Sequence, residues 1–326
     1  MLKKIKRLDG ARQSVLILAV AFTPMIGWGA HSAAYGAVSL SDMASNTAYA
    51  AGTWATGANG GTGFAPWQLV PDVSQSGVNQ GATWGFDTES AANVFGVTAN
   101  PNINTNGVAW ALWSQNGTGT DPVAQTAYRK FDYALVPGAT FSIDMTTDAM
   151  GTQGAEGFQL QNYNPSTNFA TPILEVAAFA SGTYYGMSWG GYTSSTRGFS
   201  NSVSSTISSV HDGTAAGNNG NGLQVTVTMG NSNTATVTLT PLNTSVRGET
   251  FSSLTLTNMP INQLALFNDN LGSSYQADYF NSINITDPVS TPEPTSLMLL
   301  FGMTLISGLT LRKSNLHSKG HKGGGI

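Results

Sequence analysis

The sequence contains no cysteine, which excludes disulfide staples, thiolate metal sites and cysteine nucleophiles at once. Charge is scarce too: Asp, Glu, Lys and Arg make up 9% of 326 residues, unlike lysine- and glutamate-rich helices or charged disorder. Basic residues nearly vanish from the middle of the chain. Between residues 37 and 290 only Arg129, Lys130, Arg197 and Arg247 are cationic, against fifteen Asp and Glu, and so acidic a surface suits nucleic acid poorly. His211 is the single histidine there, so the usual zinc sites lack ligands. A serine triad would have to use His211, which sits before Asp212-Gly213 and reads as a turn residue. Neither a Walker loop nor a dinucleotide fingerprint is present, and the lack of a fixed-period repeat argues against propellers and solenoids.

What is present begins at the two ends. Lys3, Lys4, Lys6, Arg7 and Arg12 precede an apolar run from Val15 to Ile26, with small residues at Ser32, Ala33, Ala34 and Gly36. That order predicts a secretory signal peptide over residues 1–36, cleaved near Ala34 or Gly36. At the other end, Thr291-Pro292-Glu293-Pro294 leads into residues 295–311, which carry no charge, and then into Arg312 and Lys313. The prolines fix φ and lack N–H groups, so they stop a preceding strand, and Pro294 suits the first turn of a helix. At about 1.5 Å per residue the uncharged stretch is about 25 Å long, enough to cross a bilayer with little tilt. The basic end is expected to stay cytoplasmic.

With these two ends the chain resembles exported bacterial proteins that carry a PEP-CTERM sorting domain. The resemblance covers Pro292, Glu293 and Pro294, the apolar helix, and the basic pair Arg312 and Lys313. It implies recognition by an exosortase in a Gram-negative cell that makes exopolysaccharide. It also implies export through the inner membrane and anchoring there, or release to the cell surface after processing. One departure is that Ser314 to Ile326 continue as a His, Lys and Gly tail.

The body, residues 37–286, followed by a linker and the sorting tail over 287–326, reads as one all-β domain. Alternation at Leu223, Val225, Val227 and Met229, at Val237 and Leu239, at Leu254 and Leu256, and at Ile283 and Ile285 marks half-buried strands. Other strands are expected over Ala92–Val97, Val108–Trp113, Ala127–Tyr133, Thr140–Met145, Gly157–Gln161, Ile173–Phe179 and Thr183–Trp189, with Asn-Gly and Asp-Gly turns between segments. Residues 38–46 read as a polar entry segment. About a dozen short strands without amphipathic helices predict a two-sheet antiparallel jelly-roll sandwich. The stretches Asn59 to Trp67, Ala127 to Asp144 and Leu266 to Asn281 make this body similar to the concanavalin-like lectin and glucanase sandwiches.

The candidate chemistry is sparse. Retaining glucanases of that fold need a Glu-x-Asp-x-Glu strand to set two carboxylates about 5 Å apart, and the motif is absent. Asp87 and Glu89 share a face if their segment is a strand. Glu156, in phase with Phe158 and Leu160, and Glu175, inside the run Ile173–Phe179, are both expected to point inward. Asn268, Asp269 and Asn270, with Asp278 and Asn281 beyond, offer hard oxygen ligands for calcium in a turn, or serve simply as turn formers. Flat sugar faces stack on aromatic rings while amides and carboxylates pair with hydroxyls. Trp113, Trp189 and Tyr192 are therefore expected as exposed sugar platforms, with Trp110 buried on the opposite face from Trp113. No catalytic residue is assigned. These readings together favour a non-enzymatic surface or matrix protein that contacts exopolysaccharide. The alternative is a secreted glycan-active hydrolase with an unrecognised carboxylate pair.

Overall fold

The computed structural model describes residues 39–49, 54–72, 83–90, 103–115, 123–147, 154–179, 184–193, 198–208, 222–242, 247–257, 259–270 and 275–288. The expected signal peptide, the Ala92–Val97 strand, His211 and the sorting tail lie outside them. No helix among the described residues is long and apolar enough to cross a membrane.

The described residues are all-β, with strands β1 (Ser39–Asp42), β2 (Gln68–Asp72), β3 (Thr83–Glu89), β4 (Ala109–Gln115), β5 (Val123–Lys130), β6 (Thr140–Thr147), β7 (Gly154–Asn164), β8 (Phe169–Phe179), β9 (Tyr184–Trp189), β10 (Asn201–Ser208), β11 (Leu223–Met229), β12 (Thr234–Pro241), β13 (Glu249–Thr255), β14 (Gln263–Asn270) and β15 (Tyr275–Thr286). They form two antiparallel sheets. One has the order β13-β12-β11-β6-β15-β4-β3, with β1 also pairing β15; the other runs β10-β9-β8-β7-β14-β5-β2. The chain changes sheet between β1 and β2, β2 and β3, β4 and β5, β5 and β6, β6 and β7, β10 and β11, β13 and β14, and β14 and β15, so the core lies between two layers built from both halves of the sequence.

The alternation is the cause of this layering. In β11 and β12 the register pairs Val225 with Leu239 and Val227 with Val237, while Thr226 meets Thr238 on the other face. The apolar members are buried, and the threonines stand on the wetter face. Their connection is tight. Ser232 and Asn233 both have positive φ, at 57° each, and the Thr234 N–H reaches the Asn231 carbonyl at 3.3 Å. Two left-handed central residues are the type I′ turn that matches strand twist.

Residues 38–46 do more than the expected entry segment. Ser39 to Asp42 pair in register with Thr286 back to Ile283, adding β1 to the first sheet. From there the chain folds inward, burying Tyr49, Trp54, Phe64 and Trp67 beside Trp110. Asp42 on β1 and Arg129 on β5 tie the two sheets together through an ion pair of 2.6 Å, with both side chains fully buried. Arg129 also donates to the Tyr49 hydroxyl at 2.6 Å and to Asn59 Oδ1 at 2.7 Å. Its guanidinium lies 4.8 Å from the Trp67 ring centroid and 5.0 Å from that of Phe64. The Tyr49 hydroxyl in turn accepts from Trp67 Nε1 at 3.1 Å and donates to Asp42. Burial lifts the Asp42 carboxyl above the ordinary Asp range, opposed by the Arg129 charge.

Candidate functional site

The outward face of the seven-stranded sheet carries a largely polar row, interrupted only by Ala265. Reading across the register from one edge to the other, it comprises Ser202, Ser188, Glu175, Gln159, Ala265, Tyr128 and Gln68. At about 4.8 Å per strand this row spans about 29 Å, the scale of an extended oligosaccharide. The next row along the strands is small at its centre: Ser204, Gly186, Ala177, Gly157, Phe267, Thr126 and Val70. Beyond it stand Tyr184, which is exposed, and Phe179, which is half-buried. Polar and aromatic rows thus flank a strip of small residues.

Glycine is required in that strip. A Cβ on Gly157 would lie 2.2 Å from the Val176 carbonyl oxygen, so β7 and β8 approach as closely as they do only because the residue has no side chain. On Gly186 a Cβ would meet the Phe179 ring at 2.7 Å, so that ring occupies the space a side chain at residue 186 would need. Phe179, Tyr184, Ser188, Ser202 and Ser204 line a groove of about 480 Å³ there. A second groove of about 560 Å³ lies between the edge strands β10 and β13, where the Thr206 amide and hydroxyl both donate to Glu249.

Two members of the row, Gln159 and Glu175, are held by a hydrogen-bonded chain that starts on the buried side chains of Gln263 and Gln161. The Gln263 amide donates to Gln161 at 2.7 Å, Gln161 donates to Gln159 at 2.8 Å, and Gln159 donates to Glu175 at 2.7 Å. In such a chain each donor is polarised by the next. Burial raises the Glu175 carboxyl above the ordinary Glu range, and the Gln159 bond opposes the rise. At the far end the Lys130 ammonium sits 3.6 Å from the Tyr163 ring centroid, and the Tyr163 hydroxyl donates to Asn168 at 2.8 Å. A half-buried surface of amides, hydroxyls and one carboxylate beside aromatic rings provides both donors and acceptors for hydroxyl groups and flat apolar faces for ring stacking.

The sequence-derived candidates fall in several places. Residues 268–270 are the end of β14, not a turn. Strand alternation turns Asn268 into the interior and Asp269 outward, so the two cannot hold one ion together. The Asn270 side chain lies outside the described residues. Asp278 is buried on the inner face of β15. Asn281 is committed to structure: it accepts from the Ala44 amide at 3.0 Å and donates to the carbonyls of Ile103 at 2.8 Å and Val108 at 3.0 Å.

Glu156 points inward and is fully buried, whereas Glu175 points outward with the polar row. Asp87 and Glu89 do share the outer face of β3, and burial followed by the Asp87 charge raises the Glu89 carboxyl.

Of the expected platforms, Trp113, Trp189 and Tyr192 are all half-buried. Trp113 lies over Gly85, Trp189 packs against the core, and Tyr192 stands edge-on to Phe199 at 5.3 Å. Trp84, Tyr184 and Phe169, at 39%, 46% and 56%, are the more exposed rings among the described residues.

Nothing in the sequence isolates the Gln159, Gln161 and Gln263 set, which are separated in the chain and joined only by strand pairing. The one available signal was the spacing of two between Gln159 and Gln161.

No family model and no curated protein matches this chain by sequence. Among solved structures, an endo-β-1,4-glucuronan lyase from the fungus Trichoderma reesei is 10% identical with a TM-score of 0.43, over 67% of this chain and 90% of that one. A legume lectin-like domain from Entamoeba histolytica is 8% identical with a TM-score of 0.35, over 62% and 90%. An alginate lyase from Klebsiella pneumoniae is 12% identical with a TM-score of 0.36, over 58% and 84%.

Proposed function

We propose that this chain is an exported surface or matrix protein of a Gram-negative cell. In this reading a jelly-roll sandwich binds a neutral exopolysaccharide along the outward face of its seven-stranded sheet and does not cleave it. The observation that carries the reading is the polar register row across that face, with Gln159 and Glu175 fixed in place by the buried Gln161 and Gln263 behind them and Tyr184 and Phe179 farther along the strands. Such a row offers many weak, repeated contacts, which suits a repeating polymer more than a compact metabolite. The acidic composition of the body disfavours polyanionic glycans. Export rests on residues 1–36. Exosortase recognition rests on Pro292, Glu293 and Pro294, with membrane insertion of residues 295–311 between them and Arg312 and Lys313.

The test is a glycan-array and exopolysaccharide pull-down assay on the full chain in mild detergent, followed by an assay for released sugar. Saturable binding without product, weakened about tenfold by Gln159→Ala or Glu175→Ala, is expected, since each removes about 1–2 kcal/mol of hydrogen bonding. Product release would favour the hydrolase reading and direct attention to Asp87 and Glu89. Binding unaffected by either substitution would move the site off this face.

A further inference from the structure

A second polar layer lies inside the sandwich, where an apolar core is the rule. Reading across the inner face of the seven-stranded sheet, the register row is Gln125, Asn268, Glu156, Ala178 and Tyr185. Gln125, Glu156 and Asn268 are all fully buried. The facing sheet answers with Ser114 and Asp278, also fully buried. The two layers touch here. The Ser114 hydroxyl donates to Asn268 Oδ1 at 2.5 Å, and Asn268 Nδ2 donates to Glu156 at 3.3 Å and to the Leu112 carbonyl at 3.4 Å. Leu112 is the register partner of Asp278, which brings that carboxylate to the same place from the other side. Both acids act on one hydroxyl: besides burial, the charges of Asp278 and Glu156 push the Tyr185 phenol up.

Gln125 gives the layer its meaning. Its side-chain amide is wholly buried, and neither its oxygen nor its nitrogen has a hydrogen-bond partner among the described residues. Buried amides are almost always paired. That amide stands one register step from Asn268, with the Glu156 carboxylate a step beyond and Ser114 and Asp278 on the facing sheet, so hard oxygen donors from both sheets share one buried layer.

We infer that this layer is a binding site for a hard divalent cation, calcium above all, held by Glu156 and Asp278 with the oxygens of Gln125, Asn268 and Ser114. Calcium takes six to eight oxygen ligands in flexible geometry, with water completing the shell, whereas magnesium dehydrates reluctantly and zinc seeks nitrogen or sulfur. The site uses two carboxylates; no group of three or more His, Cys, Asp or Glu among the described residues is placed to hold a metal. It differs from the turn expected at Asn268–Asn270, retaining Asn268 and Asp278 and replacing the outward Asp269 with Glu156 and Gln125. An ion here would join the two sheets at a point distinct from the Asp42–Arg129 pair.

The experiment is thermal unfolding of the full chain in mild detergent with calcium chloride, magnesium chloride or chelator, paired with terbium luminescence excited through tyrosine. At a hundredfold excess over its Kd, calcium is expected to raise the midpoint by about 5 °C or more. Terbium emission is expected to saturate and to be displaced by calcium. Asp278→Asn should lower calcium affinity at least tenfold, while Asp87→Asn, on the outer face of β3, leaves it unchanged. Should Asp278→Asn not fold, Gln125→Glu decides: a third carboxylate raises the midpoint in calcium and lowers it in chelator. A wild-type midpoint indifferent to calcium, or Gln125→Glu destabilising equally in both media, overturns the site and leaves a proton-sharing polar cluster.

Discussion

Replacing Arg129 with Met tests how much of the sandwich depends on one buried ion pair. The substitution keeps a long apolar stem and removes the guanidinium, so Asp42 loses its partner at 2.6 Å and Tyr49 and Asn59 lose the donors that reach them at 2.6 and 2.7 Å. The faces of Trp67 and Phe64 lose the cation lying over them. Removing one partner of a buried pair costs about 3–5 kcal/mol, because the other charge stays behind in a medium that solvates it poorly. Domain stabilities are about 5–15 kcal/mol, so the loss is about a fifth or more of a typical total. For a domain of this size it corresponds to a midpoint lowered by about 6–20 °C. Calorimetry of the full chain in mild detergent measures it. Two companions sharpen the test. Arg129→Met combined with Asp42→Asn removes the stranded carboxylate and is expected to recover about 2 kcal/mol relative to the single change, the signature of direct coupling. Arg129→Lys retains the charge but not the planar fork that reaches Asp42, Tyr49 and Asn59 together, and is expected to retain less than half of the contribution. A single variant within about 1 kcal/mol of wild type, or a double variant less stable than the single, would refute the view that this pair holds the sheets.

Stability should also rise as the solution is acidified from neutral pH toward about 5. Burial is the first cause that raises Asp42, Glu89, Asp144 and Glu175 above their ordinary values of 3.8 and 4.5. Between those values and the raised ones the folded chain binds more protons than the unfolded one, so stability falls as pH increases through that window; a midpoint lower at pH 5 than at pH 7 contradicts this. Gly157→Ala is expected to destabilise by about 1–3 kcal/mol, because its Cβ meets the backbone oxygen of Val176 at 2.2 Å and that atom cannot rotate away. Urea unfolding measures it, and an unchanged midpoint would show that β7 and β8 part without cost.

Where one face of a strand was greasy and the other wet, the sequence could be read directly. Val225, Val227, Val237 and Leu239 announced β11 and β12, and the offset between Trp110 and Trp113 put one ring in the core and the other on the outer face. Glu156 was placed inward by its phase with Phe158 and Leu160, and it is buried there. The same reasoning failed for Glu175 because β8 is apolar on both faces: Val176, Ala177 and Ala178 are all buried, so alternation carried no contrast. Asn268, Asp269 and Asn270 look like a turn by intrinsic preference. Yet they are paired on both sides, by β5 and by β7, and that pairing outweighs the weak propensity of Asn and Asp against strands. Ser39–Asp42 is too short and too polar to declare itself, and becomes a strand only because β15 offers it an edge. The glutamine row was hidden for a related reason. Its members become neighbours only after three strands have found their register.

That row has a direction. From Gln263 through Gln161 and Gln159 to Glu175 every amide points its N–H the same way, and the series ends on a group that can only accept while it is ionised. Turning one amide over would set donor against donor on one side and acceptor against acceptor on the other, so the members keep a common sense or reverse as a set. A polymer lying along the strip therefore meets an asymmetric track. Its two chain ends are not interchangeable, and a hydroxyl that takes the place of Gln159 at Glu175 alters the bond made by the buried Gln263 two strands away.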